Sequence, residues 1–222
     1  MSTQHVSNEI LSEEEPILAN DSAGYRAWLS LLLLSMFIFF LGQPTFAEDT
    51  PTRYVDNAGA DVGDCTDIMQ PCATIGYAVA QANANDMVMV GAGHYAENLL
   101  LNKPIILQGS GANKTILDGD TDADGKPNGN VVTLASNMII LTGFDIRNGV
   151  HGISGETSMS VIANNVIHDN WQKPNLVGAG IYLWGDNNQN AIQGNVIYGN
   201  AQQGIFIGYP NRDQFSNDHL IF

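Results

Sequence analysis

A short phrase of sequence that returns three times limits what this chain can fold into more than any other feature does. The phrase reads Gly-Phe-Asp-Ile-Arg-Asn-Gly at 143–149, Asn-Asn-Val-Ile-His-Asp-Asn at 164–170 and Gly-Asn-Val-Ile-Tyr-Gly-Asn at 194–200. A second phrase follows each copy: Gly-Ile at 152–153, Gly-Ile-Tyr-Leu at 180–183 and Gly-Ile-Phe-Ile at 204–207. The copies lie 21 and then 30 residues apart. Units this short cannot bury an apolar face alone, so they must stack on their neighbours.

The composition of each copy predicts strands. The apolar pieces are short, rich in Ile and Val, and alternate with polar residues, and none holds a helical period over ten residues. Gly and Asn between them suit tight turns because they tolerate positive φ. Strands that return every 21 to 30 residues predict an all-β fold, a parallel β-helix (solenoid). Its inward Ile and Val would stack in columns, and Asn170 and Asn200 would form a hydrogen-bonded ladder between coils.

The repeats resemble the right-handed parallel β-helix proteins of the pectate-lyase-like superfamily, and the resemblance runs from about Arg53 to Phe222. Two earlier stretches resemble the opening coils of pectin methylesterases: Val-Gly-Ala-Gly-His-Tyr-Ala-Glu-Asn at 90–98 and Lys-Pro-Ile-Ile-Leu-Gln-Gly at 103–109. The resemblance implies that the β-helix is right-handed. It is weak for activity, because one fold hosts many functions.

Residues 1–47 have the pattern of a signal peptide. The apolar run Leu29–Leu41 is too short to span a bilayer but fits a signal-peptide core, and Thr45 and Ala47 supply small residues before a cleavage site. The segment before the run is long and acidic, so an uncleaved membrane anchor stays open as the alternative. Cleavage predicts a secreted, periplasmic or cell-surface protein, and a membrane would be a partner only if the segment is retained.

The remainder divides into residues 48–85, an N-terminal leader with a capping helix, and residues 86–222, the β-helix. We expect a first strand at Arg53–Asp56, a helix at Ala73–Asn83 over the end of the solenoid, and a turn at Gly91–Tyr95. An oxidising compartment favours a Cys65–Cys72 disulfide. The sequence ends in an apolar run without a closing helix, which predicts that the β-helix is truncated at its C-terminus.

The charge balance excludes one class of partner. Eight Lys and Arg face 23 Asp and Glu, which gives a formal net charge of −15. Such a chain has no basic surface for nucleic acid. It should also repel an acidic polysaccharide unless a cation bridges the two.

The clearest metal-binding pattern is a run of alternating carboxylates followed by glycine, which can wrap oxygen ligands around Ca²⁺. Val131 stands where a helix-loop-helix calcium site has its bidentate Glu, and Asp118 is the candidate replacement. The alternative is an acidic, solvated loop between coils. The candidate ligands of a structural calcium ion are Asp120, Asp122, Asp124 and Asn128.

Catalytic residues are harder to place. A polyuronate lyase must neutralise a carboxylate and abstract the adjacent proton, and in pectate lyases Ca²⁺ and an Arg serve these ends. Arg147 is the weak candidate here, with Asp145 on the same face of its strand, and a surface salt bridge is the simpler interpretation. The tryptophan-isoleucine-aspartate-histidine signature of pectate lyases is absent. His94, His151 and His168 have no metal or triad spacing, and we expect them at turns.

Aromatic residues of the repeats form the last candidate site. Tyr182 and Trp184 share one face of a strand, and Phe206 aligns with Tyr182 one coil later. Facing outward they would form an aromatic strip that contacts carbohydrate or a partner, and facing inward they would be core. Ile181 and Leu183 already fill one face, which favours the outward orientation.

Two functions follow from these observations. The first is a secreted or surface β-helix that binds carbohydrate or a partner without catalysis. The second is a pectate-lyase-like polysaccharide lyase that acts on acidic polysaccharide with Ca²⁺. The absence of a recognisable catalytic set favours the first.

Overall fold

Short strands make up almost all the regular structure of this chain. The structure is a computed structural model and describes residues 51–171, 178–185, 187–208 and 220–221. In chain order the elements are β1 Thr52–Val55, α1 Ile75–Gln81, β2 Met87–Val90, β3 Gly93–Ala96, β4 Leu99–Leu101, β5 Ile106–Gly109, β6 Thr115–Asp118, β7 Val132–Leu134, β8 Ile140–Thr142, β9 Asp145–Arg147, β10 Ile153–Gly155, β11 Val161–Ala163, β12 Val166–His168, β13 Ala179–Trp184, β14 Ala191–Gln193, β15 Val196–Tyr198, β16 Gln203–Gly208 and β17 Leu220–Ile221.

These strands form three parallel sheets. The first sheet has the order β1-β2-β5-β8-β11-β14-β17, the second β3-β6-β9-β12-β15 and the third β4-β7-β10-β13-β16. Each full coil contributes one strand to each sheet in turn, so a strand pairs with its equivalent one coil away. This arrangement is the predicted parallel β-helix.

Each copy of the repeated phrase places the central apolar residue of its second-sheet strand in the core. Ile146 pairs with Ile167, and Ile167 with Ile197, at the centre of the second sheet. Leu117 continues this column towards the N-terminus. Since successive side chains of a strand point to opposite faces, the residues on either side of each core residue face outward.

Asparagine side chains at the turns between sheets form hydrogen bonds with the neighbouring coils. The Asn170 amide donates to Asn200 Oδ1 at 3.0 Å, and Asn170 Oδ1 accepts from the Gly149 N–H at 3.0 Å. Asn165 and Asn195 repeat the contact at the turn between the first and second sheets. The predicted Asn170–Asn200 ladder is therefore confirmed.

The helix α1 covers the N-terminal end of the core. Its residues Ile75, Ala78 and Val79 are buried, and it packs against β1, β2 and β4. The Thr74 hydroxyl accepts from the Tyr77 N–H as the N-cap, which is why the helix starts later than predicted. Glu97 also reaches the first turn, where its carboxylate accepts from the N–H groups of Ile75 and Gly76.

The disulfide between Cys65 and Cys72 is present. The predicted turn at Gly91–Tyr95 is wrong, because β3 begins at Gly93 and Tyr95 points into the core. The first strand starts and ends one residue earlier than predicted, and the helix is shorter at both ends.

The predicted signal segment, residues 1–47, lies outside the described residues. Within the described ranges, no helix has the length and apolar character needed to cross a membrane.

Candidate functional site

Aromatic rings form a column on the outer face of the third sheet. Tyr182 pairs with Phe206 in the strand register, and their ring centroids lie 4.8 Å apart with planes 15° from parallel. His151, from the turn before β10, stacks on the other side of Tyr182 at 4.6 Å. The outward orientation predicted for Tyr182 and Phe206 is confirmed.

This stacking changes what the column can bind. A sugar ring packs against the face of an aromatic ring, but both faces of Tyr182 are covered by His151 and Phe206. The Tyr182 ring therefore presents an edge and its hydroxyl to solvent. The column therefore stabilises the outer face of the third sheet, and Tyr182 has no open ring face on which a sugar could stack.

Trp184 stands beside this column on the same face and is the most exposed aromatic residue of the third sheet, at 46%. It borders an open cleft of about 610 Å³. Hydroxyl, amide and carboxylate side chains line the same cleft, and Glu156 lies against Gly185. The polar residues of the cleft are Thr133, Ser136, Asn137, Glu156 and Ser158.

The cleft residues other than Trp184 were not predicted. Glu156 lies four residues after Gly152, as Trp184 lies four residues after Gly180. Aligning the two Gly-Ile phrases would thus have placed this carboxylate next to the indole. Thr133 and Ser136 lie in a coil without a recognisable copy of either phrase, so the sequence held no comparable signal for them.

His151 is held in its neutral form by a backbone contact. Its Nδ1 accepts a hydrogen bond from the Ala179 N–H at 3.0 Å, and burial lowers the pKa of the imidazole. Protonation of Nδ1 would remove this acceptor. His151 lies at a turn, as predicted, and its ring also joins the corner before β10 to the start of β13.

We expect acid to weaken the fold through His151. Because its pKa is lower in the folded chain, the unfolded chain takes up the proton first as pH falls below the ordinary value of about 6.5, and stability declines until the folded pKa is passed. His151→Phe keeps a ring for the stack but cannot titrate. Thermal unfolding at pH 7.5 and pH 5.5 should therefore show a smaller acid-induced drop for the variant than for the wild type. Equal drops would contradict this role.

The outer face of the second sheet carries a row of ionisable side chains centred on Asp118. This carboxylate is only 6% exposed, and it accepts from the Asn148 amide at 3.0 Å and from Arg147 Nε at 3.4 Å. His94 Nε2 lies 2.9 Å away. Burial acts to raise the pKa of Asp118, but the bonds from His94 and Asn148 outweigh it and hold this pKa below its usual range.

Arg147 is thus part of this ion cluster, and its catalytic role stays a prediction. The sequence suggested Asp145 as its neighbour, but Arg147 reaches back one coil to Asp118, while Asp145 lies 3.0 Å from His168 Nε2. His168 and His94 lie on strands β12 and β3, so their prediction as turn residues is wrong. His168 Nδ1 also lies 2.7 Å from Asp169.

The acidic loop between β6 and β7 gathers the three predicted carboxylates. Oxygen atoms of Asp120, Asp122 and Asp124 lie within 4.8 Å of one another. Asn128 orders the loop: its oxygen accepts from the Thr121 N–H at 2.7 Å and its amide donates to Asp122 at 3.1 Å. The hydrogen bond from the Asn128 amide lowers the pKa of Asp122.

Asp118, suggested as a replacement ligand, is not part of this group of carboxylates, and its Oδ1 and Oδ2 both accept from the Asn148 amide. Asp120 also accepts from the N–H groups of Asp124 and Gly125, at 3.1 and 2.8 Å. These hydrogen bonds order the loop, and calcium stays a prediction from the sequence.

If the loop binds calcium, thermal stability will rise with it. At Ca²⁺ concentrations about 100-fold above Kd, binding to the folded chain alone adds about 2.7 kcal/mol. Asp122→Asn should remove this gain, whereas Asp67→Asn, in an acidic loop elsewhere, should keep it. A melting temperature that does not respond to 10 mM Ca²⁺ would identify the loop as merely solvated.

The fold is matched by known proteins. The family model for the right handed beta helix region matches residues 107–220, about half of the chain. No curated protein matches the chain.

Two similar crystal structures are of pectin methylesterase, a point mutant in complex with hexasaccharide IV and a complex with hexasaccharide VII. Both are 14% identical to this chain and cover 64% of it, with TM-scores of 0.46 and 0.44. The match spans 47% and 49% of those chains, about half their length, and the likeness concerns the fold alone. On the family match, together with its three parallel sheets, this chain belongs to the right-handed parallel β-helix family.

Proposed function

We propose that this protein is an extracellular β-helix scaffold that binds a neutral carbohydrate chain in the Trp184 cleft, without catalysis. The observation that carries the proposal is a half-exposed indole at an open cleft with hydroxyl, amide and carboxylate side chains. An aromatic face together with convergent hydrogen-bonding groups suits a ligand with an apolar ring face and hydroxyl edges.

The geometry supports Trp184 as the main contact. It makes no ring–ring contact within the described ranges, in contrast to Tyr182 and Phe206, which stack on each other. Tyr182 and Phe206 support the sheet beside the cleft, and the Tyr182 hydroxyl lies at the same outer face. This division of roles replaces the uniform strip expected from the sequence.

Electrostatics supports a neutral ligand. The chain carries a formal charge of −15, and Glu156 adds a carboxylate within the cleft. A polyuronate would be repelled at low salt, whereas a neutral glycan would not. Glu156 can accept hydrogen bonds from sugar hydroxyls.

Export is part of the proposal. The Cys65–Cys72 disulfide is typical of secreted, periplasmic or cell-surface proteins, and it agrees with the signal-peptide pattern of residues 1–47. The ligand would then be a polysaccharide outside the cell or on a cell surface.

Binding of neutral hexasaccharides of glucose, xylose and mannose, measured by calorimetry, tests the proposal. We expect at least one to bind, and Trp184→Ala to weaken it by about tenfold or more, as for a central aromatic contact. Trp171→Ala is the matched control, because Trp171 is also partly exposed (37%) but does not line the cleft. Tyr182→Phe should have little effect, since it keeps the stacked ring.

Two outcomes would contradict the proposal. One is equal affinity of the Trp184→Ala and Trp171→Ala variants. The other is Ca²⁺-dependent release of unsaturated uronate from polygalacturonate, followed by ultraviolet absorbance, which would establish the alternative lyase activity. We expect no such product, since the outward row Leu100, Thr133, Ser154, Tyr182 and Phe206 of the third sheet has no carboxylate and Arg147 is bound to Asp118.

A further inference from the structure

A second cleft lies at the N-terminal end of the first sheet, remote in the fold from the third sheet. It has a volume of about 260 Å³ and lies between the outer face of β1, β2 and β5 and the loop 57–72, here called the disulfide loop. Most of its walls are apolar, and the polar side chains among its lining residues are those of Tyr54, Asp56, Gln108 and Ser110. Its principal side chains are Tyr54, Asp56, Ile68, Pro71, Met89 and Gln108.

The cleft is held open by covalent and backbone contacts. The disulfide closes the loop, the Tyr54 N–H donates to the Cys65 carbonyl at 2.8 Å, and the Cys72 N–H donates to the Tyr54 carbonyl at 3.0 Å. The Ala60 N–H donates to the Pro71 carbonyl at 3.0 Å. A ligand would therefore meet a preformed wall and lose little binding free energy to ordering it.

Asp56 gives the cleft a carboxylate that can accept further hydrogen bonds. Its Oδ1 accepts from the Ala58 N–H at 2.9 Å, while Oδ2 accepts no hydrogen bond from any residue that the structure describes. The Gln108 side chain likewise has no hydrogen-bond partner in those ranges. A ligand that donates hydrogen bonds beside an apolar group would satisfy both residues.

The charge around the cleft selects the sign of the ligand. From Tyr54 to Asn102 the sequence contains no Lys or Arg. Within the disulfide loop there are three aspartates, Asp61, Asp64 and Asp67, and Asp56 directly precedes the loop. This end of the molecule should attract cations and repel anions.

Exposed apolar side chains extend the surface beyond the cleft. Ile68 is 64% exposed, Met69 83% and Met89 39%. Their presence next to carboxylates describes a surface for a ligand that is both apolar and cationic.

We propose that this cleft binds a basic polypeptide segment of a partner protein. One large apolar side chain of the segment enters between Ile68 and Met89, and a neighbouring Lys or Arg pairs with Asp56 Oδ2. The cleft volume accommodates a side chain of this size, and the acidic loop supplies the charge. This site is independent of carbohydrate binding at Trp184.

The probe is the peptide acetyl-Lys-Trp-Lys-amide, with acetyl-Glu-Trp-Glu-amide as the charge-reversed control. Methyl NMR of the protein expressed from the whole sequence, labelled at methionine, reports the site directly. We expect the basic peptide to shift the Met89 methyl signal, and the exposed Met138 and Met159 of other coils to stay in place. The acidic peptide should shift none of them.

Variants assign the contact. Asp56→Asn keeps the acceptor for Ala58 and removes the charge, so we expect about tenfold weaker binding, as for a charge-assisted hydrogen bond. Gln108→Ala should weaken binding by a smaller factor, and Gln193→Ala should not, because Gln193 occupies the same outward position at the distant end of the sheet. An unchanged methionine spectrum without peptide will confirm that each variant is folded.

Three results would overturn the proposal: no Met89 shift at millimolar peptide, equal shifts with both peptides, or unchanged affinity of Asp56→Asn. A Met89 shift that follows protein concentration alone would identify a second copy of this chain as the occupant instead.

Discussion

Replacing Arg53 with methionine should lower the free energy of unfolding by about 3–5 kcal/mol, the usual cost of removing one partner from a buried ion pair. Arg53 is 4% exposed and Asp86 is 2% exposed, and the guanidinium Nη1 contacts Asp86 Oδ2. The same oxygen accepts from the Asn83 N–H at 2.6 Å. Without Arg53 the carboxylate stays buried with no countercharge, between β1 and the start of β2.

A double variant separates charge from packing. Arg53→Met with Asp86→Asn removes both charges and keeps an oxygen acceptor for Asn83, so it should recover part of the lost stability. Urea unfolding with the disulfide intact measures all three proteins. If the double variant is no more stable than Arg53→Met alone, the uncompensated charge is not the cause.

Gly180→Ala is expected to cost about 1–3 kcal/mol, the range for overpacking in a well-packed site. A Cβ at Gly180 would lie 2.7 Å from the Gly204 carbonyl oxygen and 2.8 Å from both the Asn200 amide and an Ile197 methyl. The Gly204 carbonyl and the Asn200 side chain are held in place by neighbouring coils. The strands β13 and β16 must therefore separate to admit the methyl group.

Gly204→Ala is the matched control, because Gly204 opens the same phrase one coil later. There a Cβ would meet only an Ile197 methyl, at 3.7 Å, among the described residues. We expect its melting temperature to remain within a degree or two of the wild type. Equal destabilisation by the two substitutions would show that glycine is needed at this position for the backbone conformation of the turn. Close packing against the next coil would then not be the reason.

The fold could be predicted because its signal is repeated. Ile146, Ile167 and Ile197 recur in the same phrase, and this recurrence is the physical requirement for stacking one column of core residues. The Asn170–Asn200 ladder follows from the same periodicity. At β3 the repeat is hard to recognise: the stretch Gly91–Tyr95 predicts a turn, but Tyr95 occupies a core position.

The candidate site was predicted less completely, because most of the contacts between coils on which it depends have no sequence signature. Strand alternation places Tyr182 outward, but it does not show that His151 covers one face of the ring. Likewise Arg147 and Asp145 are two residues apart, and only the three-dimensional packing shows that each binds a residue of a different coil.

The corners of the solenoid differ in how freely chain length can vary. Two residues connect the first sheet to the second at 91–92, 143–144, 164–165 and 194–195, and five do so at 110–114. The connections from the second sheet to the third vary more, from two residues at 97–98 to 13 at 119–131. Adding one residue within a strand would turn its core side chains outward. Adding residues at the second-to-third corner leaves every strand in register, so this edge is where new loops can be acquired or grafted while the stacked core beneath them stays the same.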